Sequence, residues 1–341
     1  MIRILAIESS CDENSAAVIE DGRVLSLVTV TQQIHQQFGG VVPELAGRSH
    51  LELQDTNVTR ALANAGLAIK DLSFVAATCG PGLIGSLLVG HSYAAALSST
   101  LSIPLISTHH MEAHLWSVEI DRDPLPVPFL VLLVSGGHSM MVIVRGFREY
   151  EIIGSTRDDA LGEAYDKVGK LLGLGFPAGA VIDREAQAGN PRAISFPISM
   201  RDGSFDFSFS GLKTSVAYKL RDEPEWAQVD KRSDLLASFQ AAAMQSVLEK
   251  VTRAADVHQV RAIAAAGGVA ANSALRKGLG EIATQMGIEL AVPAMKYCAD
   301  NAAMIGFAAW KQITAGIPAA ALSVRPRWPL TDLRQTAAHS I

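Results

Sequence analysis

The same order of strand-like and turn-like segments occurs twice along this chain. In each half, a short apolar strand leads into a polar or glycine-rich turn, and two further strands follow. In the first half these segments are Ile2–Ile7, the turn 8–13, Ala16–Ile19 and Arg23–Val30, with Asp21-Gly22 as a hairpin turn. In the second half they are Phe129–Val134, the turn Ser135–His138, Met140–Val144 and Tyr150–Ile153.

Each half also contains a strand that enters a helix through glycines. Phe74–Thr78 runs into Cys79-Gly-Pro-Gly82 and the small-residue helix 83–99, and Ala262–Ala266 runs into Gly267-Gly268 and a helix that begins near Asn272. Such junctions bring backbone amides and a helix N-terminus close to an anion. The repeated order predicts a duplicated α/β fold of two lobes with a ligand in the cleft between them. The proline-rich stretch 121–128 is predicted to link the halves.

Composition restricts the class of protein. Of 341 residues, 49% are hydrophobic and 18% are charged, which is typical of a globular chain. The net charge of −5 predicts no general attraction for nucleic acid, so such binding requires a local basic patch or a helper protein. Three widely spaced cysteines, no signal-peptide pattern and apolar runs far shorter than roughly 20 residues favour a cytoplasmic protein without a membrane span.

His110 and His114 are the strongest candidates for metal binding. They lie four residues apart, so in a helix both imidazoles project from one face and reach one ion. A carboxylate from elsewhere would then be needed. A histidine cluster satisfied by water and backbone is the open alternative. Glu112 gives the spacing H-x-E-x-H rather than the H-E-x-x-H of zinc peptidases, which argues against a protease. Asp300, judged from its local sequence, is predicted to cap the helix that follows it.

Four other segments suggest ligand contacts, each with a simpler alternative. The turn Ser135–His138 offers amides for a phosphate, or is a plain hairpin. The segment 267–272 leaves bare backbone for a nucleoside, with Asn272 as a hydrogen-bonding group. The acidic run 158–166 is predicted to form a short helix that ends with Asp166. Asp166 either accepts hydrogen bonds from ribose hydroxyls or lies on a solvated face. Asp12 and Glu13 either act as a base or bind a cation, or they only stabilise the turn in which they lie.

Taken together, these motifs resemble a known family over nearly the whole chain. The matching segments are Ile7-Glu-Ser-Ser-Cys-Asp-Glu13, Gly39-Gly-Val-Val-Pro-Glu-Leu-Ala46, Gly80-Pro-Gly-Leu-Ile-Gly-Ser86, His110-Met-Glu-Ala-His114, Leu133-Val-Ser-Gly-Gly-His138, Gly162-Glu-Ala-Tyr-Asp-Lys167, Phe207-Ser-Phe-Ser-Gly-Leu-Lys213, Gly267-Gly-Val-Ala-Ala-Asn272, Asp300-Asn-Ala-Ala303 and Arg325-Pro-Arg-Trp-Pro-Leu330. The sequence is similar to the bacterial TsaD family of tRNA threonylcarbamoyladenosine transferases, formerly labelled sialoglycoprotein endopeptidases.

The resemblance implies a fold, an activity and a set of site residues. The fold is the actin, sugar-kinase and Hsp70-like one, and the reaction moves threonylcarbamoyl from threonylcarbamoyl-AMP to the amine of the adenosine 3′ of the anticodon in tRNAs reading ANN codons. One divalent metal is implied, Fe²⁺ in preference to Zn²⁺, with His110, His114 and Asp300 as ligands. The implied adenylate-binding residues are Leu133, Val134, Ser135, Gly136, Gly137, Asp166, Gly179, Asp183 and Asn272.

The family further implies a paralogous TsaB-like dimerisation partner and a small TsaE-like ATPase. We expect a partner-binding first lobe of residues 1–108 plus about 310–341, and a second lobe of 109–309 with the nucleotide and metal sites. Asp12 is our hypothesis for the base that deprotonates the amine. Ala178 stands where the family usually has a second glycine. A small-molecule kinase and a non-catalytic nucleotide sensor remain as alternatives.

Overall fold

The computed structural model describes residues 1–333, and these residues form two compact units. Unit 1 contains Met1–Pro124, Phe147–Tyr150 and the chain from Ala299 onward, and unit 2 contains Leu125–Gly146 and Glu151–Cys298. The first crossing between units, at Pro124, lies inside the predicted linker 121–128. The predicted boundaries near residues 108 and 310 differ from those of the structure. Residues 334–341 of the predicted first lobe lie outside the residues that the structure describes.

Unit 1 is built on a five-stranded sheet in the order β3-β2-β1-β4-β5. Strand β1 pairs antiparallel with β2 and parallel with β4, and β5 pairs parallel with β4. The strands are β1 Arg3–Glu8, β2 Glu13–Glu20, β3 Arg23–Thr31, β4 Phe74–Gly80 and β5 Leu105–His109. The helices of this unit are α1 Pro43–Ala65, α2 Ile84–Leu101, α3 His110–Ser117 and α9 Ala302–Thr314.

Unit 2 repeats this design with a sheet in the order β10-β9-β6-β7-β8. Strand β6 pairs antiparallel with β7 and parallel with β9, and β9 pairs parallel with β10. The strands are β6 Phe129–Val134, β7 Ser139–Gly146, β8 Glu149–Ser155, β9 Ala262–Ala266 and β10 Glu289–Ala291. The helices are α4 Leu161–Leu171, α5 Gly179–Ala186, α6 Ser210–Asp222, α7 Val229–Val257 and α8 Ser273–Met286.

The two sheets confirm the predicted duplication. Read from the outer antiparallel strand, β3-β2-β1-β4-β5 and β8-β7-β6-β9-β10 follow the same order, with an antiparallel hairpin first and two parallel strands last. Every predicted strand is present, with ends within about three residues of those predicted from the sequence. Apolar runs predict these strands well because β1, β2, β4, β6 and β9 are covered on both faces and almost entirely buried.

Helix α9 belongs to unit 1 because it packs on the first sheet. It contacts β1 and β2, and Gly306 lies so close that an added Cβ would be 2.4 Å from Ile19 and 3.0 Å from Ala6. Helix α3 follows β5 without a loop. These contacts explain why residues 109–124 and 299–309 belong with unit 1 rather than with the second lobe. Within residues 1–333, no helix is both long and apolar enough to cross a membrane.

The glycine junction of unit 1 is filled by the chain's own backbone, which differs from the predicted open site for an anion. An added Cβ on Gly80, at φ +154°, would lie 1.9 Å from the carbonyl oxygen of Arg325. The amide of Gly82 donates to the Pro326 carbonyl at 3.2 Å, and the amide of Leu83 donates to the Ser10 carbonyl at 2.8 Å. The glycines therefore make room for the C-terminal segment, whose own backbone occupies the junction.

Candidate functional site

The predicted metal ligands meet at one edge of the first sheet. Strands β1, β4 and β5 run parallel, so their carboxyl ends lie at the same edge, where α/β proteins commonly bind ligands. Helix α3 starts there with His110, and Glu8 ends β1 beside it. Asp300 immediately precedes the N-cap of α9, which packs against α3. Topology thus brings together residues about 100 and 190 positions apart.

His110, His114 and Asp300 form a compact group of donor atoms. The Nε2 atom of His114 lies 3.0 Å from Oδ1 of Asp300, and Nε2 of His110 lies 3.7 Å from Oδ2. The two imidazole rings are 4.7 Å apart at their centroids, and one donor atom from each residue lies within 4.8 Å of the others. Both histidines are buried, whereas the Asp300 side chain is 21% exposed.

Glu8 is a site residue that the sequence analysis did not identify. Its Oε2 atom lies 3.1 Å from Nδ1 of His110 and accepts a hydrogen bond of 2.6 Å from the Thr78 hydroxyl. The Ser10 hydroxyl also lies 3.2 Å from that Nδ1. A carboxylate that accepts a hydrogen bond from Nδ1 fixes the orientation of the ring, so that Nε2 is the nitrogen that faces Asp300. The available signal was a glutamate at the end of an otherwise apolar strand.

The charges of this group are strongly coupled. Burial by itself lowers the pKa of His110, but the carboxylates of Asp300 and Glu8 raise it to about 9. Burial alone would raise the pKa of Glu8, and attraction to His110 outweighs it, so that pKa lies below its usual value. The histidine therefore carries a positive charge at neutral pH, held between two carboxylates, when no metal ion is bound.

This donor set fits a divalent metal ion. Two imidazole nitrogens and one carboxylate oxygen converge, and one imidazole is backed by a second carboxylate, as is usual for metal-ligating histidines. Two histidines with one carboxylate suit non-haem iron or zinc and leave positions open for a substrate. The alternative of a histidine cluster satisfied only by water and backbone does not account for the two carboxylates.

Metal affinity is expected to rise with pH. His110 must lose its proton before its Nε2 atom binds an ion, and its pKa of about 9 lies above neutrality. One displaced proton predicts an affinity increase of about tenfold per pH unit from pH 6 to 8, levelling off above about 9. Competition of Zn²⁺ between the protein and a chelator measures this slope. An affinity that stays constant between pH 6 and 8 would contradict the assignment.

Asp300 does not cap α9, contrary to the prediction from local sequence. Asn301 is the N-cap residue, and its side-chain oxygen accepts from the amide of Met304 at 3.1 Å. Asp300 lies one residue earlier and faces the two histidines. An Asp-Asn pair offers two equally good caps, and only the packing of α9 decided which residue became available to the site.

Asp12 and Glu13 lie in the same unit, at the start of β2. The two carboxyl groups are hydrogen bonded to each other, and burial together with the charges of Asp300 and Asp12 raises the pKa of Glu13 well above its usual value. The backbone carbonyl of Asp12 accepts from the Gln32 amide at 3.0 Å, which fixes the loop. A role for Asp12 as a base stays a prediction.

In unit 2, the turn after β6 presents open backbone. Gly136 and Gly137 are exposed, and an added Cβ on either would meet no atom within 4 Å. The amide of Ser135 closes the turn on the carbonyl of His138 at 2.8 Å. Gly162, at the start of α4, approaches so closely that its Cβ would lie 2.6 Å from the Ser135 carbonyl oxygen. Leu133 and Val134 are fully buried in β6, so neither side chain is exposed to a ligand.

Asp183, Asn272 and a residue that the sequence analysis missed, Gln240, form a hydrogen-bonded group. Gln240 donates to Asp183 at 3.2 Å and accepts from Asn272 at 2.9 Å. Asp183 also accepts from the amide and hydroxyl of Ser273, at 3.0 and 2.8 Å. Asn272 caps α8 by accepting from Leu275 at 2.9 Å. Gln240 is a buried polar residue in an apolar stretch of α7, which was the signal available.

Asp166 and Gly179 lie around the start of α5. Asp166 accepts from the Ala178 amide at 2.8 Å, and Gly179 is the first residue of the helix. Ala178 has an ordinary φ of −97° and is fully buried, so alanine is compatible with this loop. Thus Asp166, Gly179, Asp183, Asn272 and the turn 133–137 all belong to unit 2, whereas the predicted metal ligands belong to unit 1.

The predicted acidic helix 158–166 is corrected by the structure. Helix α4 begins only at Leu161. Asp158 precedes it and receives hydrogen bonds from the hydroxyls of Ser208 and Ser210, each 2.6 Å, at the start of α6. Asp159 pairs with Lys167 at 2.7 Å and with Lys213 at 3.0 Å. Side-chain hydrogen bonding to another helix outweighed local helix formation, as is common for aspartate.

Sequence comparison assigns the chain to a family. Residues 23–307 match the family model of TsaD, tRNA N6-adenosine threonylcarbamoyltransferase. A protein of that name from Syntrophotalea carbinolica is 46% identical over 331 residues, which is 96% of each chain. Another from Kosmotoga olearia is 47% identical over 318 residues, covering 93% of this chain and 95% of its own. The chain belongs to the tRNA N6-adenosine threonylcarbamoyltransferase family.

Solved structures of other proteins share the fold of this family member. HypF from T. kodakarensis matches with a TM-score of 0.62 at 14% identity; the match covers 94% of this chain and 49% of HypF. A second match is the activator of 2-hydroxyisocaproyl-CoA dehydratase from Clostridium difficile with bound ADPNP. Its TM-score is 0.50 at 14% identity, and the match covers 93% of this chain and 98% of the activator. These identities are low, so the likeness concerns the fold alone.

In this threonylcarbamoyltransferase-family chain, the Glu112 carboxylate is engaged by Tyr150 and Arg148. Its Oε1 atom accepts a hydrogen bond of 2.6 Å from the Tyr150 hydroxyl and lies 3.8 Å from Nε of Arg148. A zinc peptidase requires the glutamate of its motif beside the metal-bound water. The position of Glu112 therefore agrees with its spacing in the sequence, and the peptidase alternative is excluded.

Proposed function

We propose that this protein transfers the threonylcarbamoyl group from threonylcarbamoyl-AMP to the exocyclic amine of the adenosine 3′ of the anticodon in tRNAs that read ANN codons, releasing AMP. The supporting observation is the group of His110, His114 and Asp300, backed by Glu8, in a member of this family. Small-molecule kinases of this fold have no use for such a group, and a nucleotide sensor would not require it.

The proposed reaction is an acyl transfer. The adenosine amine attacks the carbamoyl carbonyl, forming a C–N bond, and the C–O bond to the AMP phosphate breaks. The amides of Gly136 and Gly137, around which the backbone is open, would hold the departing phosphate. Asp183, Asn272 and Asp166 supply hydrogen-bonding groups for the nucleoside of the adenylate.

The proposed metal ion is Fe²⁺, with Zn²⁺ as the alternative. Both suit two histidines and a carboxylate, and either would supply Lewis-acid polarisation and anion binding. His110 and His114 would contribute neutral Nε2 atoms, with His110 oriented by Glu8. Asp300 would contribute its more exposed carboxylate. Metal analysis of protein purified without oxygen distinguishes the two ions.

Asp12 is the proposed base, and Asp12→Asn is expected to slow single-turnover transfer by about 100-fold, within the usual contribution of general-base catalysis. Asparagine preserves the size of the side chain and removes the proton acceptor. Rapid-quench assays with saturating threonylcarbamoyl-AMP and tRNA measure the rate, and Asp55→Asn, a substitution in α1, serves as control. A rate equal to that of wild type would reject Asp12 as base.

The cellular function is tested by depleting the protein from its host and analysing nucleosides from bulk tRNA by mass spectrometry. Threonylcarbamoyladenosine should disappear and return with the wild-type gene, but not with a gene carrying His110→Ala and His114→Ala. Unchanged modification after complete depletion would reject the proposed function. Because the substrate is tRNA, we place the reaction in the cytoplasm.

A paralogous TsaB-like partner is proposed to bind helices α1 and α2 of unit 1. These helices expose large apolar side chains, Leu51, Ile84 and Leu88, at 68%, 49% and 47%. Leu88→Glu is expected to weaken co-purification with the partner at least about tenfold, because a charge would be buried in an apolar contact. Leu171→Glu, at a comparably exposed leucine of unit 2, is the control. Equal recovery with both variants would contradict this surface.

A small TsaE-like ATPase and tRNA complete the proposed assembly. The net charge of −5 predicts weak binding of tRNA by the isolated chain. Filter binding at two salt concentrations tests this expectation. Tight binding that resists an increase in salt would contradict it.

A further inference from the structure

The C-terminal segment 320–330, which we call the strap, crosses the edge of the first sheet where the metal ligands lie. Its backbone pairs with the ends of two strands: the Arg325 amide donates to the Cys79 carbonyl at 2.7 Å, and the Leu322 amide donates to the Ser107 hydroxyl at 2.8 Å. Gly80 leaves the space that the Arg325 carbonyl fills. Trp328 is buried although its neighbours Arg327 and Pro329 are exposed. The strap is thus anchored to β4 and β5 at Arg325 and Leu322, and Trp328 itself is buried.

His109 joins this strap to the metal-binding helix α3. Its Nδ1 atom accepts from the amides of Met111 and Glu112, at 3.1 and 3.3 Å, and so caps the helix. Because backbone amides only donate, Nδ1 is the unprotonated nitrogen, and Nε2 donates to the carbonyl of Trp328 at 2.9 Å. The indole of Trp328 packs on the imidazole with centroids 4.7 Å apart.

The choice of histidine as N-cap is informative. Serine, threonine, aspartate and asparagine are the usual N-cap residues. Their side chains are short, so none of them has a second polar atom far enough from the first to reach another segment. An imidazole has two nitrogens on opposite sides of a rigid ring. His109 therefore fixes the first turn of α3 to the strap, and that turn contains His110.

We infer that the strap, through Trp328 and His109, is a positioning device for the metal centre. Neither residue is a proposed metal ligand. Both determine where α3 begins and how it is rotated, and hence where the Nε2 atoms of His110 and His114 lie relative to Asp300. The inference rests on the proposed metal site. Substituting a residue that orients a metal-ligating histidine typically lowers metal affinity by about 10- to 100-fold.

The test removes the hydrogen bonds of the two His109 nitrogens one at a time. His109→Asn retains an acceptor near the position of Nδ1 and loses the link to Trp328, whereas His109→Gln reaches towards the Trp328 carbonyl and loses the cap. His35→Asn is the matched control, because His35 is also buried in unit 1, accepts from the Val42 amide and bonds Gln32 through Nε2. Binding of Zn²⁺ alone is measured by chelator competition, and thermal unfolding is recorded for each variant.

Both His109 variants are expected to bind Zn²⁺ about 10- to 100-fold more weakly than wild type, while His35→Asn binds equally. Trp328→Ala should show the same loss, and Trp328→Phe should restore much of the affinity. These two variants decide the question if the His109 variants do not fold. Affinities of His109→Asn and Trp328→Ala within about twofold of wild type would overturn this inference alone. Wild-type protein that binds no metal would overturn the metal site as well.

Discussion

Replacing both His110 and His114 with alanine is expected to abolish metal binding and to lower tRNA modification by more than about 100-fold. This loss is larger than the one typical of substituting a residue that only orients a ligand. The two Nε2 atoms supply two of the three donors, and Asp300 alone would leave an ion mostly hydrated. Metal content by mass spectrometry of the purified protein and transfer of threonylcarbamoyl to tRNA measure the two losses.

A graded series makes this prediction specific. Glu8→Gln removes the charge behind His110 while retaining its shape, and should weaken metal binding by about 10- to 100-fold without abolishing it. His35→Asn should leave both metal content and transfer unchanged. Full activity of the double alanine variant at undetectable metal content would show that the histidines are structural.

Gly267→Ala is expected to destabilise unit 2 by about 1–3 kcal/mol and to weaken AMP binding by at least about tenfold. Gly267 has φ +90° and ψ 167°, a region that residues with a Cβ rarely adopt. An added Cβ would lie 2.3 Å from the carbonyl oxygen of Val134, at the start of the turn that we propose binds phosphate. Urea denaturation and calorimetric titration with AMP provide the measurements.

Gly268→Ala is the matched control for that prediction. Gly268 starts a 3₁₀ turn, and an added Cβ would meet no atom within 4 Å. The change in the free energy of unfolding should stay within about 0.5 kcal/mol. If Gly267→Ala and Gly268→Ala proved equally stable and bound AMP equally, the backbone at Gly267 would not support the turn as argued.

Much of this fold could be predicted because it depends on local patterns. Buried strands such as Phe129–Val134 are unbroken apolar runs, and Asn272 before a helix is a recognisable cap. The spacing of His110 and His114 alone places both imidazoles on one helical face. Local patterns failed where two residues were equivalent in sequence, as with Asp300 and Asn301, or where a distant helix competed for a side chain, as with Asp158.

The two α/β halves, the histidine pair and the family motifs can be identified in the sequence, because each depends on residues within a few positions of one another. Three contacts become visible only in the folded chain: Glu8 lies behind His110, Gln240 joins Asp183 to Asn272, and the strap fills the junction at Gly80. These contacts depend on strand order and on the register between parallel strands. Both are set by burial across the whole sheet, which no short segment encodes.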